Sequence, residues 1–290
     1  KRENSILTAG LTTLREDAIF LSELPSISGI IRSHQSDDDK ESENATENYW
    51  ETRLAAVFET VLKQRQAYTQ VRFIGNDHNG HELVRVNRVG DQVHIVGEGQ
   101  LQKKGGAGYF ESTMQLNAGE AYLSRVTYNR ERGRIALPLQ PVIRIGVPVF
   151  DAAGAVFGAV IINVDFNLLA KSLLKSNGSM FYFLTNDRGD YLIHPDKDKR
   201  LAFELGESAL VTDDYPIDLN TVANKGHLFE GLNVAEQNVG LVFHRLYFDP
   251  LNQERFFLVG SVTNHDVILK ESLRLAQQLI AIVLVAVLIL

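Results

Sequence analysis

The sequence predicts a mixed α/β chain of the α+β type: a long N-terminal helix and then two tandem domains, each a central antiparallel sheet flanked by helices. Three observations carry this expectation. Leu7, Leu11, Leu14, Ala18 and Leu21 recur at three- and four-residue steps, the period of one helix face. From Tyr68 the period changes to two, and apolar runs are separated by short turn signals, as antiparallel hairpins require. A second set of strand, turn and strand begins near Met180 and repeats the first in outline.

Taken in order, the first helical face runs to Pro25, where a kink or an end is expected because proline lacks the amide donor that a helix interior needs. The polar stretch from Ser33 to Glu47 has the composition of a solvated loop, and its acidic run lacks the fixed geometry that holds a metal. A second helix follows through Trp50, Leu54, Val57, Phe58, Val61 and Leu62. Then come YTQVRFI, a turn at NDHNG, HELVRVNRV, a turn at Gly90-Asp91, and QVHIV, an antiparallel meander. PVIRIGVPVF and VFGAVIINVDF around the turn DAAG form a second hairpin, apolar enough to lie centrally, so this sheet has at least five strands. The Gly-rich KKGGAG, YFESTMQL and AYLSRVTYNRERG between them are irregular, polar and aromatic, and fit one wall of a pocket.

Asp165 is placed to cap a connecting helix, DFNLLAKSLLKS, that ends at Asn177-Gly178. MFYFLTND, DYLIHPD, GHLFEG, LVFHRLYFD and RFFLVGSV supply the strands of the second domain. His194, before Pro195, is expected to shape a turn. From Leu279 to Leu290 the chain reads LIAIVLVAVLIL, apolar on every side and shorter than the ~20 residues of a membrane span, so it is read as the start of a transmembrane helix. The expected division is a stalk helix and polar loop over 1–47, a first domain over 48–176, a second over 177–266, and an exit helix with the beginning of a span over 267–290.

Composition narrows the function. Hydrophobic residues at 44% and charged residues at 22% suit a globular chain with substantial cores. A net charge of −7 gives no long-range attraction for nucleic acid, so no nucleic-acid partner is expected. With no cysteine there is no disulfide framework, thiol nucleophile or thiolate metal site. HELVR has Arg85 where a zinc-protease motif needs its second histidine, and GGAG lacks the Lys-Ser/Thr of a phosphate loop. No Gly-x-Ser-x-Gly elbow is present, and the eight histidines lack metal-ligand spacing. Neither catalysis nor a cofactor is expected within these residues.

In order, the long N-terminal helix, YTQVRFIGNDHNGHELVRVNR, LQKKGGAGYF, AYLSRVTYNRERG, PVIRIGVPVFDAAGAVFGAVIINVDF and NDRGDYLIHPD resemble the double Cache (dCache or PDC) extracytoplasmic sensor family of bacteria. The resemblance covers nearly the whole chain. It implies two tandem PAS-like domains stacked on a long N-terminal helix, the membrane-distal one holding a small ligand, and a homodimer. Members are the extracytoplasmic parts of histidine kinases, diguanylate cyclases and chemoreceptors, joined to the membrane by flanking helices. A sensor histidine kinase of the inner membrane is the favoured reading, with the other two outputs and a ligand-free interaction module as alternatives.

Strand alternation locates a candidate pocket. Ile143, Ile145, Val147 and Val149 share one face, which should pack on the long helix, with Val160, Ile162 and Val164 likewise core and Val71 and Phe73 facing inward. Arg144, Asn163, Asp165, Tyr68, Gln70 and Arg72 are then assigned to the other face, with Arg85 on the next strand. The insertion from Gln100 to Arg134 is the natural cover, bringing Tyr109, Tyr122, Ser124 and Tyr128 as hydrogen-bond donors. The guanidinium fork suits a carboxylate, so a small carboxylate ligand is the hypothesis. The competing structural reading pairs Arg72, Arg85 and Arg144 with Glu82, Glu111 or Asp165. The Tyr, Arg and Trp arrangement of the family's amino-acid binders does not align here, since the only tryptophan is Trp50.

Overall fold

The computed structural model describes residues 2–35, 40–131, 133–174, 179–221 and 226–289. The chain divides into two compact units, residues 5–170 and residues 171–290 together with 1–4.

The first unit opens with helices α1 (Arg2–Ser22), α2 (Pro25–His34) and α3 (Lys40–Gln64). Leu7, Leu14, Ala18 and Leu21 of α1 are buried, the face that their spacing predicts. Pro25 starts α2, where its missing amide costs nothing. The polar stretch Ser33 to Glu47 is not one loop: Ser33 and His34 finish α2, and α3 begins at Lys40, seven residues before Glu47. Polar composition was misleading there, since charged residues on an exposed helix face have good propensity without needing burial. The aspartate run 37–39 lies outside the described residues.

The sheet of this unit contains β1 (Tyr68–Gly75), β2 (Glu82–Val89), β3 (Gln92–Ile95), β4 (Tyr122–Leu123), β5 (Thr127–Tyr128), β8 (Pro141–Phe150) and β9 (Val156–Asp165), in the order β3-β2-β1-β9-β8-β4 with β5 also on β8. Short helices α4 (Asp77–Gly80) and α5 (Gly108–Met114) lie in the connections, and β6 (Arg130–Glu131) pairs with β7 (Arg134–Ile135) as a separate ribbon. The meander and the central hairpin stand where the alternation predicts them. One face, Val71, Phe73, Val84, Val160, Ile162 and Ile145, is fully or almost fully buried, with α3 packed across β1 to β3.

Two bulges depart from simple alternation. Between Tyr68 and Gln70 the register shifts, so Tyr68 pairs with Val164 and its hydroxyl donates to Asp17 Oδ2 of α1 at 2.6 Å. Tyr68 therefore belongs to the helix-covered face, not with Gln70 and Arg72: the extra residue of a bulge turns the side chains beyond it over. Between Phe73 and Ile74 a second shift sets Glu82 opposite Ile74. Asp165 caps as expected, accepting from the Leu168 amide at 3.1 Å, but the helix is one turn, α6 (Phe166–Leu169), followed by a 3-10 turn from Lys171 to Leu174. The expected end at Asn177-Gly178 lies outside the described residues.

The second unit is a five-stranded antiparallel sheet of β10 (Met180–Thr185), β11 (Tyr191–Ile193), β12 (His227–Leu232), β13 (Asn238–Tyr247) and β14 (Phe256–Asn264), in the order β11-β10-β14-β13-β12. Helix α7 (Val211–Asp214) lies before β12, and α8 (His265–Ile289) ends the unit. Its core gathers Phe183, Tyr191, Val211, Leu241, Leu258 and neighbours. Gly260 of β14 makes room for it, because a Cβ there would stand 2.1 Å from Phe183 Cζ. Phe183 is fully buried and has nowhere to retreat. Gly260→Ala is therefore expected to cost about 1–3 kcal/mol, read as a lower urea midpoint with an unchanged slope. Among the described residues no helix is long and apolar enough to cross a membrane.

Candidate functional site

The second face of the first sheet is also buried, and it is polar. Arg72 of β1 is 2% exposed and Arg85 of β2, directly opposite it, 6%; Arg144 of β8 is at 9% and Asn163 of β9 at 3%. So much buried charge needs compensation, and the connections supply it. Helix α5 lies over this face because Gly146 of β8 lets it approach: a Cβ there would be 2.1 Å from Thr113 Oγ1. That seating delivers Tyr109 between two guanidinium groups. The Arg72 and Arg144 carbons each lie 5.3 Å from its ring centre, and Arg72 Nη1 donates to its hydroxyl at 2.8 Å.

Glu82, fully buried, is the central anion. Its Oε1 is 3.4 Å from Arg72 Nη1, and its Oε2 is 3.5 Å from Arg85 Nη1 and accepts the Gln102 amide at 2.9 Å. Arg72 Nη2 donates to Asn163 Oδ1 at 2.9 Å, while Arg72 Nε is buried without a hydrogen-bond partner among the described residues. Burial alone would lower the Arg72 guanidinium, but Tyr109 and Glu82 hold it above its ordinary value. Arg85 continues outward to Asn87 Oδ1 at 3.0 Å and Glu131 Oε1 at 3.1 Å. Gln102 bridges to Glu131 Oε2 at 3.0 Å and accepts from Lys104 Nζ at 2.7 Å. Burial lowers the Lys104 ammonium. It pushes the Glu131 carboxyl the other way, but Gln102, Arg85 and Lys104 outweigh it and leave that carboxyl below its usual value.

Of the eight residues singled out from the sequence, Arg72, Arg85, Tyr109 and Arg144 meet on this face. Ser124 touches Arg144 through the backbone, accepting its amide at 2.9 Å, and Arg144 Nη1 donates to Thr127 Oγ1 at 3.0 Å. Tyr122 is half-buried beside Gly146, and Tyr128 is buried opposite Pro141 at the far end of β8. Asp165 sits at that same end, its carboxylate taken by the Leu168 amide and by Gln140 Nε2 at 2.9 Å. Arg72 and Arg85 do pair with Glu82, as the structural alternative had it, whereas Glu111 is exposed. Lys104, Gln102, Glu131 and Thr127 were missed, since side chains of irregular loops carry no periodic signal. The Gly-rich loop, expected as part of one wall of a pocket, is bonded at its base: Lys104 and Gly105 donate their amides to Gly80 and Asn79 carbonyls at 2.7 and 2.9 Å.

In the second unit His194 is buried and accepts the Asp196 amide at Nδ1, 3.1 Å away, shaping the expected turn. Burial, reinforced by Lys199, pushes it down to about 4. Among the described residues no group of three or more histidine, aspartate or glutamate side chains is arranged to hold a metal.

Two tandem sheets of this topology, preceded by long helices, define a double Cache, or PDC, sensor fold. The extracellular domain assigned to the histidine kinase vpHK1S-Z8 superposes with a TM-score of 0.71 at 16% identity, over 93% of this chain and 92% of that one. A domain assigned to a sensory box/GGDEF family protein of Vibrio parahaemolyticus gives 0.72 at 18% identity, over 92% and 95%. The ligand-binding domain of the Pseudomonas aeruginosa amino acid chemoreceptor PctC, in complex with GABA, gives 0.56 at 15%, over 90% and 95%. Among curated proteins no sequence relative matches. Residues 13–259 match the family described as bacterial histidine kinase, sensor domain, and the chain belongs to that family. It is an extracellular sensor domain of histidine kinase type.

Proposed function

We propose that the first unit is the membrane-distal ligand-binding domain of a sensor histidine kinase and that it binds a small carboxylate on the Arg72, Arg85 and Arg144 face. The observation that carries this reading is the buried, unpartnered Nε of Arg72 beside a tyrosine hydroxyl held on the same guanidinium. A ligand carboxylate that displaces Tyr109 engages Nε and the neighbouring Nη2 of Arg72 together, the guanidinium edge that now meets Asn163 Oδ1, and this is a two-point contact that a phenol cannot make. Tyr122, Ser124, Tyr128 and Asp165 shape the rim of this site through β4, β5 and the end of β9. The GABA complex of the chemoreceptor domain supports the ligand class, since GABA carries a carboxylate.

Displacing Tyr109 moves α5, and that movement is the signal. It biases the helices that lead to the flanking membrane segments, in a homodimer whose paired helices shift together. Such a switch needs a ligand that favours one conformation over the other. A diguanylate cyclase or chemoreceptor output would use the same input.

A thermal-unfolding panel of amino acids, organic acids, amines and purines tests the reading. A ligand at 100 times its dissociation constant adds about 2.7 kcal/mol of stability, a shift of a few degrees. Stabilisation by carboxylates supports the assignment; stabilisation by amines or purines alone overturns the carboxylate, and silence across the panel favours an interaction module.

A further inference from the structure

The first unit carries a cluster of ionisable groups that the carboxylate site does not use. His34, the last residue of α2, places Nε2 2.6 Å from Glu47 Oε1 on α3. Its ring packs edge-on against Phe157 of β9, with 5.4 Å between ring centres, which ties the end of α2 to the sheet. Glu51 follows Glu47 by four residues on α3, so both share one side of that helix. Together with Glu98 they line a cleft of about 540 Å³ between α3 and the edge of β2, where β3 has already ended at Ile95.

Every element around this cluster contributes charge. Glu47 and Glu51 come from α3, Asp77 from α4 and Glu98 from the 3-10 turn after β3, while Glu82 and Arg85 come from the start of β2 and the His81 ring from the end of α4 just before it. Glu82 and Arg85 lie 3.5 Å apart and largely offset one another. Among the described residues the remaining balance is negative, and His34, 2.6 Å from Glu47, is placed to answer it with a positive charge.

We propose that His34, Glu47 and Glu51 form a proton-operated clasp, which holds α3 to the end of α2 and to the sheet edge when protonated and loosens when its protons are lost. Burial, followed by the charge of Glu47, pushes the Glu51 carboxyl from 4.5 up to about 7, against the pull of His34. The hydrogen bond with Glu47 holds His34 above 6.5 despite its partial burial. Both groups bind protons more tightly in the folded chain than in the unfolded one. The Glu51 contribution is lost as pH rises from 4.5 through about 7. That of His34 is complete below 6.5 and is lost as pH rises through its raised value. The two slopes have the same sign, so the clasp loosens across neutral pH and gives the unit a response to protons without any ligand.

The test is thermal unfolding of the chain as a function of pH, together with an NMR titration of the His34 ring. The melting temperature is expected to fall as pH is raised across neutrality, and Glu51→Gln to remove most of that fall while lowering the His34 midpoint. In the unaltered chain, which needs no variant to fold, His34 should titrate above 6.5. A full slope surviving in Glu51→Gln, or a His34 midpoint at or below the ordinary value, overturns the clasp. Arg144→Ala, which removes the proposed carboxylate contact, should keep the slope; a slope that vanishes there places the titrating groups on the other face and overturns the clasp as well.

Discussion

Glu82→Ala is expected to destabilise the first unit by about 3–5 kcal/mol, because removing one partner of a buried ion pair leaves the other charge stranded. Here Arg72, already short of a partner at Nε, is stranded, and Arg85 is left with Glu131 as its carboxylate. The Gln102 amide loses its acceptor too, so the segment leading to Lys104 and α5 is loosened at the same time. Urea unfolding measures the loss directly. Removing charge from both sides, as in Glu82→Leu with Arg72→Met, should recover part of it, since a packed apolar pair carries no desolvation cost. A loss below ~1 kcal/mol for Glu82→Ala would mean that water reaches these guanidinium groups freely, and the low-dielectric character of the face would have to be abandoned.

Arg144→Ala is expected to leave the fold in place and remove carboxylate binding. The backbone amide of Arg144 keeps its bond to Ser124 Oγ, and the strand keeps its pairing with β9, so the β8 ladder does not depend on the side chain. The lost guanidinium faces Thr127 and Tyr109, the latter being the group that the ligand displaces in the proposed function. Truncating one member of a buried, hydrogen-bonded charge contact costs about 2–5 kcal/mol of binding, or roughly 30- to 5,000-fold in affinity. Titration calorimetry with the best carboxylate from the unfolding panel reads this out. A folded variant that retains its affinity moves the ligand off this face.

Much of this architecture was legible beforehand. The hairpins around Asp151 and Asp91, the cap at Asp165 and the buried face of α1 all follow from local rules, because each depends on neighbours only a few residues away. Arg72 and Arg144 could be placed on a common face by period alone. Glu82 could not. By alternation it shares a side with Val84, and only the bulge between Phe73 and Ile74 turns it toward Arg72. Nor was the early start of α3 visible, since a polar helix surface and a polar loop have the same composition.

What the sequence determined by itself is therefore the inventory and the period: two sheets, the helices before them, an apolar face and an arginine-bearing one. The tertiary structure decided which charges are paired. The register shifts of β1 turn Glu82 toward the arginines, and the seating of α5 on Gly146 brings Tyr109 to Arg72 from 37 residues away in the chain, a separation over which no local propensity acts.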